Sequence, residues 1–398
     1  MYAAAAASFI GFTGFTLVMP FLPLYLEQLG LEDVGEISLW AGLSLGVTPA
    51  VTAFMAPLWG RLGDRYGRKI MVERSLVSFV VVMAAMSYVT RPWHVFALRA
   101  VQGLFAGYGA LTLTMAADSA PKEQTAYAIG FVQTAQRLGP ALGPVLGGIV
   151  AQAVGLRQAF LVTAAFYAIA AVVVAVVYDE RAVFKKGGPP VTGRVTFRDV
   201  LAFENFLLLA VVIFGLQFVD RSFGPVLPLF VGTLGASGGR VAVVAGLLFS
   251  VAAASAAVGN YACGPLLRRG SARGVIASAC ATAAAGVAGY LLTTNAWWLA
   301  LPTAVFGASI GAATTAAYTA ASTVIPMDAR GAGFGLLTTA SLVGLAVSPI
   351  VNGILGATSI RAVFVLDAVL LAALAVLVSR LMISGTLPRP SAPAPEEI

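Results

Sequence analysis

PFLPLYLEQLG, at Pro20–Gly30, is repeated as PVLPLFVGTLG at Pro225–Gly235, with six of eleven positions identical. The two stretches lie 205 residues apart in a chain of 398 residues, and each lies inside an apolar run. Chance explains one such pair in a chain rich in Ala, Leu and Gly, but further pairs keep the same order and offset: Pro121 with Pro326, Gly130 with Gly335, Pro144 with Pro349 and Gly148 with Gly353. The sequence therefore predicts two related halves.

The composition is that of a membrane protein. Hydrophobic residues make up 59% of the chain and charged residues 10%, and the mean hydropathy is +0.91, whereas soluble domains carry roughly 25% charged residues. The net charge of +7 does not indicate nucleic-acid binding, because the basic residues stand in short breaks between apolar runs. Two cysteines and one histidine supply neither a disulfide framework nor a metal site, and we expect no cofactor and no enzyme.

Twelve apolar runs are long enough to cross a bilayer core of ~30 Å as helices. The first has no basic segment before it and is too long for a signal peptide, so we expect it to be retained. The runs lie at about 4–26, 37–59, 70–90, 93–116, 125–152, 157–178, 203–231, 240–262, 273–293, 296–321, 331–355 and 360–383.

The distribution of Lys and Arg predicts the orientation. With twelve spans both termini lie on one side, and that side holds 17 of the 24 basic residues against 4 on the other. The positive-inside rule then places both termini in the cytoplasm. We expect a six-helix bundle at 1–178, a cytoplasmic linker at 179–202, a second bundle at 203–383 and a disordered cytoplasmic tail at 384–398. Parallel six-helix repeats are one plan of secondary transporters.

The run GRLGDRYGRK, Gly60–Lys69, separates spans 2 and 3 and predicts a tight cytoplasmic turn. A simple positive-inside anchor explains its bases but not its acid or its glycine spacing. The run resembles the loop signature of the major facilitator superfamily, G-x-L-x-D-R-x-G-R-K, at every specified position. The resemblance implies a twelve-helix fold in two pseudo-symmetric bundles and a cytoplasmic gate formed by Gly60, Asp64, Arg65, Gly67, Arg68 and Lys69.

Span 4 contains LRAVQGLFAG, with Arg99 inside the apolar run and Gln102 three residues later. An Arg at this depth costs about 2.5–3.5 kcal/mol on insertion scales, so it requires a partner or a cavity, or it snorkels to the interface. The run resembles the fourth-span motif R-x-x-Q-G, which the family associates with proton coupling.

Span 5 contains RLGPALGPVLGGIVA. Its glycines 139, 143 and 147 share one helix face, which suits close packing on another helix, and its prolines favour a bend. A packing seam without further function is the alternative reading. The run resembles the fifth-span motif of the antiporter branch, which implies export in exchange for protons and assigns the motif residues Gly139, Pro140, Gly143, Pro144, Gly147 and Gly148. The counterpart SPIVNG in span 11 keeps only Pro349 and Gly353.

The start of the chain resembles the twelve-span drug:proton antiporters, which include bacterial multidrug and tetracycline-type exporters. The resemblance implies an all-α major facilitator in the bacterial inner membrane. It would exchange small amphipathic compounds for protons by alternating access, as a monomer. A metabolite or sugar efflux carrier on the same fold is the alternative, and a non-transporting membrane receptor is a remote one. One departure is that residues 4–26 carry no charge, whereas several drug exporters have an acid there.

Ionisable residues inside spans are functional candidates. We assign proton coupling to Asp220, Arg221, Arg99 and Asp367. Two opposing effects are expected to act on Asp220: burial favours the neutral acid, and Arg221 favours the carboxylate. The alternative is a static ion pair of Asp220 with Arg221 or Arg137. Residues expected to line the substrate cavity are Gln133, Arg137, Gln217, Phe12, Phe15, Tyr108, Phe218 and Tyr318, although each aromatic also suits packing or lipid contact.

Overall fold

The computed structural model describes residues 2–119, 125–178, 203–235, 239–325 and 330–383. These segments contain helices and no strands, so the prediction of an all-α fold is confirmed. The predicted linker at 179–202 and the predicted tail at 384–398 lie outside the described residues.

A helix, or a broken pair of helices, occupies each of the twelve predicted runs. The first half contains α1 (Tyr2–Val18), α2 (Leu22–Gln28), α3 (Val34–Tyr66), α4 (Arg68–Met86), α5 (Pro92–Phe105), α6 (Tyr108–Asp118), α7 (Thr125–Val154) and α8 (Leu156–Val177). The second half contains α9 (Phe206–Ser222), α10 (Leu227–Thr233), α11 (Gly239–Arg269), α12 (Ala272–Leu292), α13 (Ala300–Val324), α14 (Arg330–Thr358) and α15 (Ile360–Leu381). Among the described helices, eight are long and apolar enough to cross a membrane, or nine if α9 and α10 form one span.

The repeated stretches mark a break in the first span of each half. In the first half a 3₁₀ turn at Met19–Phe21 separates α1 from α2, and Pro20 and Pro23 each stand at the start of a helical segment. In the second half α9 and α10 are bent by 45°, and Pro228 stands at the start of α10. Proline has no N–H and is tolerated in a first helical turn, where the N–H groups have no partner within the helix. The duplicated prolines therefore restart the helix at matching places.

The buried apolar side chains form two clusters. One is built mainly from residues 3–178 and the other from residues 206–382, and among the buried residues that the structure describes only Leu229, Ala242 and Ala245 of the second half join the first cluster. Each half thus has its own core, as expected for two bundles rather than one.

Aromatic pairs repeat between the halves. Tyr25 lies 4.7 Å from Phe160, ring centroid to ring centroid, and Phe230 lies 4.9 Å from Phe364. Tyr25 and Phe230 occupy the same position in the two repeated stretches. The duplication seen in sequence is therefore also a duplication of packing.

Basic caps repeat as well. Lys69, at the start of α4, donates from Nζ to the carbonyl oxygens of Ala175 (2.7 Å) and Tyr178 (2.6 Å), at the end of α8. Arg273, at the start of α12, donates to the carbonyl oxygen of Ser379, near the end of α15. The last carbonyls of a helix have no intrahelical partner and carry the negative end of its dipole, so a cation stabilises them.

The predicted turn between spans 2 and 3 is shorter than the sequence suggests. Helix α3 continues through Tyr66 and α4 begins at Arg68, so only Gly67 interrupts the helices. Gly67 has φ +98°, a conformation that glycine adopts without the strain of a Cβ atom. Most of GRLGDRYGRK is therefore helical.

The fourth span is also broken, at Ala106–Gly107, which the sequence did not predict. Side chains of other helices donate to the carbonyls that the break leaves free. Trp59 donates from Nε1 to the Leu104 carbonyl (2.6 Å) and Arg74 donates to the Phe105 carbonyl (3.1 Å). The Arg74 guanidinium also lies 3.3 Å from the centroid of the Trp59 ring, a cation–π contact.

Candidate functional site

An open cavity of about 550 Å³ lies in the second half between α9, α11 and α13. Four of the predicted site residues line it: Gln217, Asp220, Arg221 and Tyr318. Its volume is within the usual range of small-molecule sites. The structure thus gathers the polar candidates of span 7 at one cavity, together with one aromatic candidate of span 10.

Asp220 and Arg221 form an ion pair that faces this cavity. Arg221 Nε lies 3.4 Å from Asp220 Oδ2, and the side chains of Arg221 and Asp220 are 51% and 36% exposed, respectively. Partly exposed pairs of this kind contribute only about 0–1 kcal/mol to stability. The pair therefore stays accessible, and it does not act as a strongly held packing contact.

Polar groups that sequence reasoning missed complete the cavity wall. Thr315 donates from Oγ1 to Asn260 Oδ1 (2.8 Å), Thr319 donates to the Thr315 carbonyl (2.8 Å) and Ser322 donates to the Thr319 carbonyl (2.7 Å). Thr315, Thr319 and Ser322 follow one another at i, i+4 and i+7, which places them on one face of α13. That polar stripe inside an apolar run was the available signal.

Asp367 takes a different place from Asp220. It is fully buried and its Oδ2 accepts a hydrogen bond from Ser222 Oγ. Its Oδ1 has no partner among the described residues. Asp367 therefore ties α15 to the end of α9, two residues beyond Asp220, without lining the cavity.

Arg99 lies inside the first bundle, with 1% of its surface exposed. Its Nη1 donates to Gln102 Oε1 (2.5 Å) and its Nε to the Ser44 carbonyl (3.2 Å), while Thr48 donates to the Arg99 carbonyl (2.8 Å). Snorkelling to the interface is therefore not the arrangement in this structure. The guanidinium instead joins α5 to α3.

The aromatic candidates of the first half pack together. The Phe12 and Tyr108 rings lie 5.4 Å apart, and Phe79 lies 5.9 Å from Tyr108. Tyr108 and Phe218 are each 6% exposed and belong to the cores of their own halves. Phe15 lies 5.8 Å from the Arg99 guanidinium. These residues support the bundles, while Tyr318 lines the cavity.

On α7, Gln133 is exposed, whereas the side chain of Arg137 lies outside what the structure describes. The neighbouring Gln136, which was not among the predicted site residues, donates from Nε2 to the Gly109 carbonyl (2.9 Å) and to Thr112 Oγ1 (3.1 Å). Gln136 therefore holds α7 to α6.

The glycine face of α7 packs closely on α1, which agrees with the alternative reading that these glycines serve helix packing. A Cβ atom added at Gly147 would lie 1.8 Å from the Leu17 carbonyl oxygen, and one added at Gly143 would lie 2.1 Å from Thr16 Oγ1. At Gly139 it would lie 2.7 Å from the Thr13 backbone nitrogen. Pro140 and Pro144 stand inside a helix that continues from Thr125 to Val154.

Two further glycine contacts join the halves, and we call them seams. In the α3–α14 seam, a Cβ at Gly42 would lie 2.2 Å from the Pro349 carbonyl oxygen and 2.7 Å from Gly353 Cα. In the α7–α11 seam, a Cβ at Gly246 would lie 2.3 Å from the Pro144 carbonyl oxygen. Gly148 belongs to the same seam, and its added Cβ would lie 2.9 Å from the Ala242 carbonyl oxygen.

The two seams are equivalent contacts of the two halves. They explain why SPIVNG, the counterpart in span 11 of the motif in span 5, keeps one proline and one glycine. Pro144 and Gly148 are the counterparts of Pro349 and Gly353, and all four face the other half. Both seams involve the beginning of α3 or α11 and the end of α7 or α14, so both lie at the end of the bundle opposite the start of α1 and the end of α15. The halves are therefore closely packed there.

The predicted gate lies at the other end of the bundle. Gly67 forms the break between α3 and α4, and Lys69 caps α8. Arg68 begins α4. The side chains at Gly60, Asp64 and Arg65 lie outside what the structure describes.

The family profile described as Major Facilitator Superfamily matches residues 4–344. The chain belongs to the major facilitator superfamily. Its relatives include the "Multi-drug resistance efflux pump PmrA homolog" of Lactococcus lactis, which is 31% identical over 65% of this major facilitator and 63% of the relative. They also include "Multidrug resistance protein MdtG" of Yersinia enterocolitica, which is 34% identical over 63% of this chain and 60% of the relative. The match thus spans about three fifths of each relative.

Solved structures agree with this major facilitator on the fold. A bacterial homologue of the human lysosomal transporter Spinster, in an inward-facing and unoccupied conformation, has a TM-score of 0.77 at 17% identity and 96% coverage of both chains. A mutant of the nucleoside transporter NupG has a TM-score of 0.78 at 12% identity, with 96% of this chain and 100% of that chain covered.

Proposed function

We propose that this major facilitator exports small amphipathic compounds in exchange for protons. The observation that carries the proposal is the Asp220–Arg221 pair, which lies inside an apolar span and faces an open cavity. Ionisable groups inside a membrane span are costly and mark substrate or proton pathways. The names of the relatives, a multidrug efflux pump homologue and MdtG, support export of drug-like compounds.

In this proposal the two seams form one gate of an alternating-access cycle. Gly42 and Gly246 let backbones meet at the end opposite the start of α1 and the end of α15, and separation of the seams would open the cavity to that side. The loop residues Asp64, Arg65 and Arg68 would close the opposite gate in the other half of the cycle. Small residues at such interfaces allow close packing and release without rearrangement of large side chains.

Asp220 is the proposed proton carrier. A carboxyl group is neutral when its surroundings are apolar and charged when a cation or water is near. Asp220 touches Arg221 and faces the cavity, so a proton or a substrate that enters the cavity can reach its carboxylate. Arg99 and Asp367 are held inside the bundles by hydrogen bonds, and their proposed role is to transmit that change to neighbouring helices.

The driving force is adequate for export. One charge moved through 100 mV releases about 2.3 kcal/mol, and each 1.4 kcal/mol corresponds to a tenfold gradient. One proton per substrate therefore supports roughly a fiftyfold gradient if the exchange is tightly coupled and moves one charge. We further propose an inner-membrane monomer with cytoplasmic termini, and halves that end at 178 and begin at 203.

The test is substrate accumulation in a drug-sensitive bacterial host deleted for its own major pumps. We expect lower accumulation of a lipophilic dye when the chain is expressed, and loss of that difference when an uncoupler is added. Asp220→Asn should abolish proton release on substrate binding, whereas Glu204→Gln, which changes an exposed acid before α9, should not. Accumulation differences that persist with the uncoupler would exclude proton exchange.

A metabolite or sugar efflux carrier is the second candidate. The observation in its favour is the polar wall formed by Asn260, Thr315, Thr319 and Ser322. Expression of the chain would then change the release of a polar metabolite and leave the accumulation of lipophilic dyes unchanged.

A further inference from the structure

The cavity wall in the second half carries balanced charge. Of the described residues that line it, Asp220 is the one acid and Arg221 the one base. Asp367 lies outside the lining and is fully buried, and Tyr318 is the remaining ionisable side chain. A lipophilic cation would gain from Asp220 but be repelled by Arg221, and an anion would meet the reverse. The wall therefore favours neither single charge.

The two charges are accessible to a ligand. They are 3.4 Å apart at their nearest atoms, and both side chains are more than a third exposed. Because exposed pairs bind one another weakly, a ligand that supplies both a cation and a carboxylate can replace each partner with a charge-assisted hydrogen bond.

The hydroxyl and amide groups of the cavity wall have fixed roles as hydrogen-bond acceptors or donors toward a ligand. Thr315, Thr319 and Ser322 have each given their hydroxyl proton to a partner within the protein, so their oxygens face a ligand as acceptors. Asn260 uses Oδ1 as an acceptor, which leaves the two hydrogens of its amide nitrogen to donate. Acceptors suit an ammonium group, and donors suit a carboxylate.

We propose that this wall binds zwitterionic ligands, with their ammonium group at Asp220 and the hydroxyl oxygens of α13 and their carboxylate at Arg221 and Asn260. The inference rests on the proposed function in that it takes this cavity as the substrate site. It narrows the amphipathic substrate to an amino-acid-like compound, which carries an apolar body and two opposite charges close together.

Four probes with the same indole body separate the charge classes. Tryptophan is a zwitterion, its methyl ester a cation, N-acetyltryptophan an anion and N-acetyltryptophanamide neutral. Calorimetry on the full chain in nanodiscs should show tryptophan binding about ten- to a hundredfold more tightly than each singly charged probe, the value of one charge-assisted hydrogen bond. Equal affinities for tryptophan and its methyl ester would overturn the proposal.

Charge variants give a second, independent readout. Arg221→Gln should move the preference to the methyl ester, Asp220→Asn should move it to N-acetyltryptophan, and Arg221→Lys should keep the preference for tryptophan. Arg361→Gln, which removes an exposed base at the start of α15, should behave as the unchanged protein. If Arg221→Gln does not fold, Arg221→Lys and the wild-type series still decide the matter. Variants that fold and keep the wild-type order of the four probes would overturn the proposal.

The two proposals fail in different experiments. Dye export without a preference for the zwitterion would overturn this inference and leave export intact. Preferential binding of tryptophan to a protein that moves no substrate would support this inference and overturn the proposed export.

Discussion

Gly42→Ala is a direct perturbation of the α3–α14 seam. The added methyl carbon would lie 2.2 Å from the Pro349 carbonyl oxygen, 2.7 Å from Gly353 Cα and 3.2 Å from the Gly353 nitrogen. All three atoms belong to backbone, so no side chain can move aside. The two helices must separate by about 1 Å or more, since non-bonded atoms in good contact lie about 3.5 Å apart.

The cost follows from the packing of the seam. Overpacking a well-packed site typically costs about 1–3 kcal/mol, and a conformation in which the halves have separated at this end does not pay it. The ratio of separated to joined conformers should therefore rise roughly 5- to 150-fold. The same substitution should slightly stabilise α3 itself, because alanine is a better helix former than glycine by about 0.5–1 kcal/mol.

The assay is a distance measurement across the seam by double electron–electron resonance. Glu32 precedes α3 and Thr358 ends α14, both are exposed, and each can carry a spin label on an introduced cysteine. The two native cysteines are buried. In Gly42→Ala we expect a longer-distance population to grow at the expense of the short one.

Gly264→Ala is the matched control. Gly264 also lies within a helix, α11, and an added Cβ there meets nothing within 4 Å. Its distance distribution should equal that of the unchanged protein. If Gly42→Ala and Gly264→Ala give the same distribution, close backbone contact is not what holds the halves together at this end.

Two further substitutions test contacts within the first half. Gly147→Val should prevent folding of the bundle or lower its melting temperature sharply, because even a Cβ atom would lie 1.8 Å from the Leu17 carbonyl oxygen. In a large domain 1 kcal/mol shifts the melting temperature by about 2 °C. A melting temperature within about 2 °C of wild type would therefore contradict the packing. Arg99→Ala leaves the buried Oε1 of Gln102 without its donor and should cost about 1–3 kcal/mol of unfolding free energy in urea titration. Arg91→Ala, at an exposed position, should cost almost nothing, and equal costs would refute the internal role of Arg99.

Hydrophobic run length was sufficient to locate the helices, because a helix in lipid must satisfy its own backbone and show an apolar surface throughout; eight or nine of the described helices are long and apolar enough to cross a membrane. The predicted run at 157–178 is occupied by a helix at Leu156–Val177, and the run at 273–293 by one at Ala272–Leu292. The repeat at 205 residues predicted two related halves, and Tyr25 and Phe230, at the same position of the repeat, each pack on an aromatic ring of their own half.

Local pattern could not reveal features that depend on distant partners. The break at Gly107 is stabilised by Trp59 and Arg74, which lie on other helices. The turn expected in GRLGDRYGRK consists of Gly67 alone, because one glycine with positive φ is enough to end α3 and begin α4. The sequence also could not show which residues line the cavity. Tyr108 and Tyr318 both stand among small residues, but Tyr108 is buried in the core of its half and Tyr318 lines the cavity.

Fusion of the two copies into one polypeptide has a consequence at the seams. A twofold dimer of six-helix subunits would make the same contact twice with identical surfaces, so every substitution would change both copies of the contact. In a single chain each copy can change alone, and it has done so where it faces its own bundle: Ser348 and Asn352 stand where the first copy has Gly143 and Gly147. Toward the partner copy, Pro349 and Gly353 still match Pro144 and Gly148, so the two copies keep the same residues at these two positions, where the backbones meet.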